Sequence, residues 1–170
     1  MQTMRDLPLR YVVDGSSFIG CVGAWVGKNK GRGHFRRLVD KGVLPASSTY
    51  QPPAAHVCDE TVFPVEMSPT DQFVVRQRIY KGKVVDFAVM QQTRVSPDDP
   101  WREVARIDCC HGRIHRHRFA CDDPSVDDNV TLADIPAQGG WEFVDSHYDE
   151  TSRVLFDSWE DELWRWRNGG

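Results

Sequence analysis

Alternating hydrophobic and polar residues predict several β-strands in the middle of the chain. The segments 73–80 and 84–95 place an apolar side chain at nearly every second position, which is the period of a half-buried strand. The tripeptide KGK at 81–83 supplies a turn between them, and PDDP at 97–100 supplies the next. Two more strands follow within 101–119. The pattern therefore predicts an antiparallel meander of about four strands.

A second periodicity, near the end of the chain, predicts a helix from Asp149 to Arg167. Its apolar residues recur at spacings of four, four and three: Leu155, Trp159, Leu163 and Trp166. Gly169 can terminate the helix. We expect this stripe to pack on one face of the sheet, leaving the other face to polar residues. The predicted fold class is α+β.

Residues 1–69 are interpreted as a Gly/Pro-rich N-terminal extension, in which Leu9 to Val13 and Phe18 to Val26 are candidate short strands. The basic segment 28–41 predicts a Gly-rich loop and then a short helix from about His34 to Val43. Five prolines within 44–72 predict a linker or an extended segment without long regular elements. We therefore expect the compact α+β domain to span residues 70–170.

The basic loop is a candidate binding surface for RNA. Its cations could contact phosphates, and the glycines could let backbone N–H groups approach them. The alternative is a surface loop without a ligand, since short basic runs are common. The candidate nucleic-acid-binding residues in this loop are Lys28, Lys30, Arg32, Arg36 and Arg37.

Charge and cysteine content change this picture only a little. Residues 1–121 carry 18 Lys and Arg against 12 Asp and Glu, and residues 122–170 carry 3 against 13. A basic body with an acidic end could bind a polyanion, or the charges could simply pair or solvate the surface. Five cysteines, an odd number, favour free thiols. With neither a membrane span nor a signal peptide in the pattern, we expect a cytoplasmic protein without membrane association.

The richest chemistry lies in one segment, 101–119, with the sequence WREVARIDCCHGRIHRHRF. His111-Gly112 can form a two-residue hairpin turn, because glycine tolerates a positive φ and histidine reaches one at a cost. Residues that alternate along a strand share a face. One face would then carry four cross-strand pairs: Cys110 with Arg113, Asp108 with His115, Arg106 with His117, and Val104 with Phe119.

This polar row allows three interpretations. Histidines could supply the acid and the base for cleavage of a phosphodiester, with Asp108 orienting His115 and with Arg106, Arg113 or Arg116 stabilising the charge on phosphorus. The histidines could instead bind a metal with Cys110 or Asp108, although the spacing of a structural zinc site is missing. The third interpretation is a solvated sheet face or a contact for a protein partner.

The same run of residues resembles a family signature. The sequence R-x-D-x-x-H-G-x-x-H-x-H, which begins at Arg106, is similar to that of TumE-type toxins, the ribonucleases of certain bacterial toxin–antitoxin pairs. The resemblance covers roughly residues 72–166 and leaves residues 1–70 without a counterpart. It implies an RNA-targeting α+β domain with an antitoxin partner. The matched residues would carry the catalytic site: Arg106, Asp108, His111, His115 and His117.

Together these observations predict a TumE-like endoribonuclease that uses histidine and aspartate for acid–base chemistry and needs no metal or other cofactor. The expected partners are RNA and an antitoxin or other protein. Arg113 and Arg116 are further candidate RNA contacts. The alternative is a non-catalytic module that binds protein or nucleic acid, for example as a phage or defence-system interaction protein.

Overall fold

A computed structural model describes residues 49–123, 125 and 127–169 of the chain. Six antiparallel strands form one sheet in chain order, so each strand pairs with the next. Two helices follow the last strand. The elements are β1 (Asp59–Ser68), β2 (Asp71–Tyr80), β3 (Lys83–Thr93), β4 (Arg102–Cys110), β5 (Arg113–Phe119), β6 (Asp127–Asp134), α1 (Gly140–Asp157) and α2 (Trp159–Asn168), and a short 3₁₀ helix (Ala55–Val57) precedes β1.

Both helices pack against the same side of the sheet, which we call the helix face. The largest core cluster joins strand residues such as Phe87 and Ile107 to Tyr148 and Leu155 of α1, and all four are fully buried. The opposite side, which we call the open face, carries Arg106, Asp108 and the two strand histidines. This arrangement confirms the α+β fold class and the prediction that the helical stripe covers one sheet face.

The sheet has two more strands than the sequence predicted. The four predicted strands are β2 to β5, and β1 and β6 extend the sheet on either side. β1 lies in the proline-rich segment, where no long element was expected; its Pro64 is tolerated because β1 is an edge strand. β6 lies in the segment 122–140, where the sequence shows no periodicity that predicts a strand. Seven of its eight residues are exposed, so it lacks the alternation that identifies a half-buried strand.

The predicted single helix is two helices. α1 begins at Gly140, nine residues before the predicted start at Asp149, and the break between the helices falls at Ser158. The stripe nevertheless faces inward across the break, since Leu155, Leu163 and Trp166 are all buried. Gly169 ends α2 with a φ of 68°, as expected for a glycine terminator.

The N-terminal predictions lie almost wholly outside the described residues. These include the short helix after the basic loop and the candidate RNA contacts within that loop. β1 precedes Thr70, the expected start of the compact domain, so the sheet extends beyond that boundary. The division into an extension and a domain otherwise stays a prediction. Among the residues that the structure describes, no helix is long and apolar enough to cross a membrane.

A substitution at Gly112 tests whether Thr49, which lies before the first strand, packs against the β4–β5 turn. A Cβ at Gly112 would overlap Thr49 Cγ2, whereas one at Gly82, in the β2–β3 turn, would meet nothing within 4 Å. Both glycines have a positive φ, 77° and 76°. We expect Gly82→Ala to lower the free energy of unfolding by about 1–2 kcal/mol, from backbone strain alone. Gly112→Ala should cost about 1–3 kcal/mol more, from the overlap. Urea denaturation of both variants measures the difference, and equal losses would show that Thr49 does not pack on the turn.

Candidate active site

The β4–β5 hairpin has the predicted turn and register. His111 and Gly112 both adopt a positive φ, 52° and 77°, which is the conformation of a two-residue turn with this twist. Cys110 pairs with Arg113, Asp108 with His115, and Arg106 with His117. The local sequence chemistry therefore sets the register that brings the two histidines beside an aspartate and an arginine.

Val104 is the exception, and its predicted place on the polar face is wrong. The register of β3 with β4 shifts between Gln91 and Gln92, so that one extra residue of β4 is accommodated there. Val104 turns to the helix face and is fully buried against Leu163 and Trp166. Glu103 accompanies the polar row instead: its Oε1 accepts a hydrogen bond of 3.1 Å from Arg106 Nη1.

The two histidines are held in the same way by side chains of β6. His115 Nδ1 lies 3.1 Å from Asn129 Oδ1, and His117 Nδ1 lies 2.7 Å from Asp127 Oδ2. Each anchor sits diagonally across the β5–β6 pair, two residues before the residue directly opposite. With Nδ1 hydrogen-bonded, the other ring nitrogen is the one available for chemistry. Both Nε2 atoms are buried and have no hydrogen-bond partner among the described residues.

Asp108 faces both Arg106 and His117. Its Oδ2 lies 2.9 Å from Arg106 Nε and 3.5 Å from His117 Nε2, and these contacts are ion pairs without the alignment of hydrogen bonds. The predicted hydrogen bond from His115 to Asp108 is absent, although the two residues are paired across the strands. His115 forms its hydrogen bond with Asn129 instead. Asn129 belongs to β6, which the sequence did not predict.

Both histidines are buried, and an aromatic side chain stacks on one of them. The ring of Phe119 stacks on that of His117 at a centroid distance of 6.2 Å and an angle of 6°. Arg106 lies over Phe119, with its guanidinium carbon 5.5 Å from the ring centre. The His115 and His117 rings are 5.9 Å apart and only 8% and 7% exposed. Phe119 therefore covers one side of the His117 ring, and a ligand could reach the two buried Nε2 atoms only after the cluster opened.

Burial also changes the acid–base properties of two neighbours. It raises the pKa of Glu103 above its ordinary value, against the lowering effect of the nearby Arg106. Burial, together with a hydrogen bond to Asp108 and its negative charge, raises the pKa of Cys110 to about 12. A neutral thiol is a poor metal ligand. Among the described residues, no group of three or more His, Cys, Asp or Glu is arranged to hold a metal ion. The arrangement of donors thus gives the metal-site interpretation no support.

The pKa of Cys110 leads to a chemical prediction. Thiolate is the reactive form, and a rise from 9.0 to about 12 lowers its fraction at pH 8 by roughly a thousandfold. We expect iodoacetamide to alkylate Cys110 of the folded protein roughly 30–100-fold more slowly than the same cysteine in urea, because a thiolate with a raised pKa is more nucleophilic and offsets part of the loss. Mass spectrometry of the peptide that contains Cys110 measures both rates. Equal rates would mean that Asp108 and burial do not suppress the thiolate.

The remaining predicted site residues do not join this cluster. His111 is exposed in the turn. Arg113 forms a 3.0 Å ion pair with Asp134, and both side chains are largely exposed. Arg116 alternates with the histidines and so lies on the helix face, where it cannot serve the polar row. The predicted RNA contacts in the basic loop lie outside the described residues: Lys28, Lys30, Arg32, Arg36 and Arg37.

Three residues of the cluster were missed by the sequence reasoning. Asp127 and Asn129 belong to β6, whose residues are nearly all exposed, so that no hydrophobic alternation marks the strand. Glu103 reaches the cluster because of the bulge in β4. The only available signal for β6 was the alternation of Asn129, Val130, Thr131 and Leu132. It was too short to distinguish from a loop.

Comparison with known families assigns the domain to a family but does not indicate its activity. A family model described as a domain of unknown function (DUF7718) matches residues 58–164, more than half of the chain. The chain belongs to this family. The matched DUF7718 range begins just before β1 and ends within α2, so it contains the whole sheet and every residue of the histidine cluster. Searches of the curated proteins and of the solved structures found no match to this chain.

Proposed function

We propose that this DUF7718 protein is a TumE-like, metal-independent endoribonuclease in which His115 and His117 act as base and acid. One observation carries the proposal: both rings are anchored through Nδ1, and both Nε2 atoms lie without a hydrogen-bond partner on the same face. Buried polar atoms without partners are uncommon in proteins, and at a cluster of titratable groups they suggest a substrate site.

The two anchors suit the histidines to different steps. His117 has a carboxylate beside each nitrogen, Asp127 at Nδ1 and Asp108 at Nε2, so its doubly protonated form can donate at both positions. We assign it the general acid. His115 is held by the neutral amide of Asn129, and we assign it the general base. The base removes the proton of a ribose 2′-hydroxyl, whose oxygen attacks phosphorus. The acid gives its proton to the departing 5′-oxygen, leaving a 2′,3′-cyclic phosphate and a 5′-hydroxyl.

Arg106 supplies the positive charge that the transition state needs. Its side chain is only 24% exposed and pairs with Asp108 beside the histidines. A phosphodiester entering the cluster would replace Asp108 as its partner. Charge-assisted bonds from a preorganised guanidinium stabilise a developing phosphorane more than the ground state.

The wider context follows from the same proposal. An RNA substrate suits a cytoplasmic enzyme, and the basic loop before the described residues would contact the RNA strand. A protein that blocked the open face, as an antitoxin would, could control the activity. These partners are what the resemblance to TumE-type toxins implies.

One observation favours a second candidate, a non-catalytic binding module. His115 and His117 are only 8% and 7% exposed, and Phe119 stacks on His117. A closed cluster of this kind could stabilise a surface that binds a protein or a nucleic acid without cleaving it, for example in phage defence. Cleavage of RNA distinguishes the two candidates.

The test is incubation of total cellular RNA with the purified full chain in the presence of EDTA. The proposal predicts EDTA-resistant cleavage that leaves 2′,3′-cyclic phosphate ends. Intact RNA, with circular dichroism showing folded protein, would overturn the catalytic proposal and favour the binding module.

A further inference from the structure

A cleft of about 240 Å³ lies beside the last turn of α2, where β3 ends and β4 begins. Three arginines and no acidic residue are among the residues that line it, and much of the lining surface is apolar. The cleft differs from the histidine cluster in position and residues, since its strand residues lie near the helix face. The lining residues are Thr70, Thr93, Arg94, Val95, Arg102, Trp166 and Arg167.

Arg94 is fixed in place without being neutralised. It donates to the backbone carbonyls of Pro69, at 2.7 Å, and Pro97, at 2.6 Å. Its guanidinium carbon lies 4.1 Å from the ring centre of Trp101. Carbonyls and an aromatic face orient a guanidinium but leave its full charge. Arg94 has no carboxylate partner within the described part of the chain.

Arg102 is held in the same manner on the other side of the cleft. Its guanidinium carbon lies 4.7 Å from the ring centre of Trp166, and the side chain donates to the backbone carbonyl of Cys121. Like Arg94, it forms no ion pair with any described residue. Trp166 is itself 5% exposed, and its indole N–H is buried without an acceptor among those residues.

The third cation, Arg167, is only loosely paired. Its Nη2 lies 3.9 Å from Asp71 Oδ1, and its side chain is 54% exposed. Asp71 already accepts hydrogen bonds of 2.6 Å from Ser68 and 2.7 Å from Thr93. These bonds satisfy the carboxylate and leave Arg167 able to turn to another anion. The cleft thus combines two fixed charges, one adjustable charge and a buried N–H donor.

We propose that this cleft binds a phosphate-sized oxyanion, which would accept bonds from the three guanidiniums and the Trp166 indole. Guanidinium forks match the geometry of phosphate oxygens, and the excess of positive charge favours a dianion. The volume is below the roughly 300–1,000 Å³ of sites that enclose drug-sized ligands, so a single phosphate group fits and a whole nucleotide does not. The group could be free phosphate or the end of a phosphorylated RNA. This site does not depend on the proposed ribonuclease.

The first experiment measures thermal unfolding of the full chain in inorganic phosphate and in chloride of equal ionic strength. At ten times its dissociation constant, phosphate should raise the Tm by about 4 °C. Arg167→Gln should weaken phosphate binding about tenfold in isothermal titration, because one charge-assisted contact is lost. Arg167 is half exposed, so we expect this variant to fold.

Arg153→Gln is the matched control, since it removes one exposed arginine from α1 away from the cleft. It should bind phosphate as the unmodified chain does. Loss of affinity in both variants, or in neither, would overturn the proposal. A second arm compares RNA decamers with and without a 5′-phosphate. Tighter binding of the phosphorylated decamer, lost in Arg167→Gln, identifies an RNA end as the ligand, whereas equal binding of the two decamers identifies free phosphate.

Discussion

His115→Ala and His117→Ala should each slow EDTA-resistant RNA cleavage by about 10²–10⁴-fold, the usual contribution of general acid–base catalysis. The rings share the open face and are anchored separately, by Asn129 and Asp127, so that loss of one leaves the other in place. The measurement is the initial rate of cleavage of a labelled oligoribonucleotide. Rates within threefold of the unmodified chain, in folded variants, would contradict the assigned roles.

Two other histidines serve as controls for this prediction. His56→Ala changes an exposed histidine in the 3₁₀ helix before β1 and should not alter the rate. His111→Asn keeps a residue that tolerates the positive φ of the turn while removing the imidazole. The resemblance to TumE-type toxins includes His111 in the site, whereas the structure places it exposed in the turn. An unchanged cleavage rate in His111→Asn would mean that His111 is not a catalytic residue, as its exposed position in the turn indicates.

The sequence was most informative where short-range chemistry determines the backbone. The His111-Gly112 turn requires two residues that accept a positive φ, and strand alternation then fixes which side chains pair. For this reason, the pairing of Asp108 with His115 and of Arg106 with His117 could be predicted from nineteen residues. The apolar stripe that runs from Leu155 of α1 to Trp166 of α2 was equally predictable, because the helical spacing continues across the break at Ser158.

Long-range pairing was less visible. β6 is an edge strand with nearly every residue exposed, so no hydrophobic pattern marks it, yet it supplies Asp127 and Asn129. Local sequence also cannot reveal the bulge that turns Val104 inward, since the bulge depends on the β3–β4 register. The candidate site was therefore predicted in its central strands and missed in the neighbouring strand that orients the imidazoles. Arg116 was misplaced for a simpler reason, because it directly follows His115 and must face the other way.

Glu162→Gln should lower the free energy of unfolding by about 3 kcal/mol, the low end of the roughly 3–5 kcal/mol range for breaking a buried ion pair. Glu162 is 2% exposed and joins α2 to β5. Arg118 donates to it through Nε at 3.0 Å and Nη2 at 2.7 Å, and Arg165 through Nε at 3.1 Å. The glutamine would remove the negative charge that both guanidiniums contact. We place the effect at the low end because Arg118 is 29% exposed and can gain water.

Glu160→Gln is the control, because Glu160 is exposed and lies with Glu162 in the first turn of α2. Both substitutions remove a negative charge near the helix N-terminus, an effect of about 0.3–1 kcal/mol. Only Glu162→Gln also removes the contacts to Arg118 and Arg165. Urea denaturation at pH 7 measures the two losses. Similar losses would mean that the buried contacts add nothing beyond the helix-terminal charge.

Acid pH provides an independent measurement of the same carboxylate. Burial acts to raise the pKa of Glu162, but hydrogen bonds and charge from Arg118 and Arg165 outweigh it and lower the pKa below 4.5. A lowered folded-state pKa gives stability that is fully present above the unfolded value and is lost as pH falls through the folded value. The unmodified chain should therefore lose stability more steeply below pH 4.5 than Glu162→Gln, which lacks this titration. The plots of unfolding free energy against pH for the two chains should converge in acid. Parallel plots would mean that Glu162 does not contribute to the pH dependence.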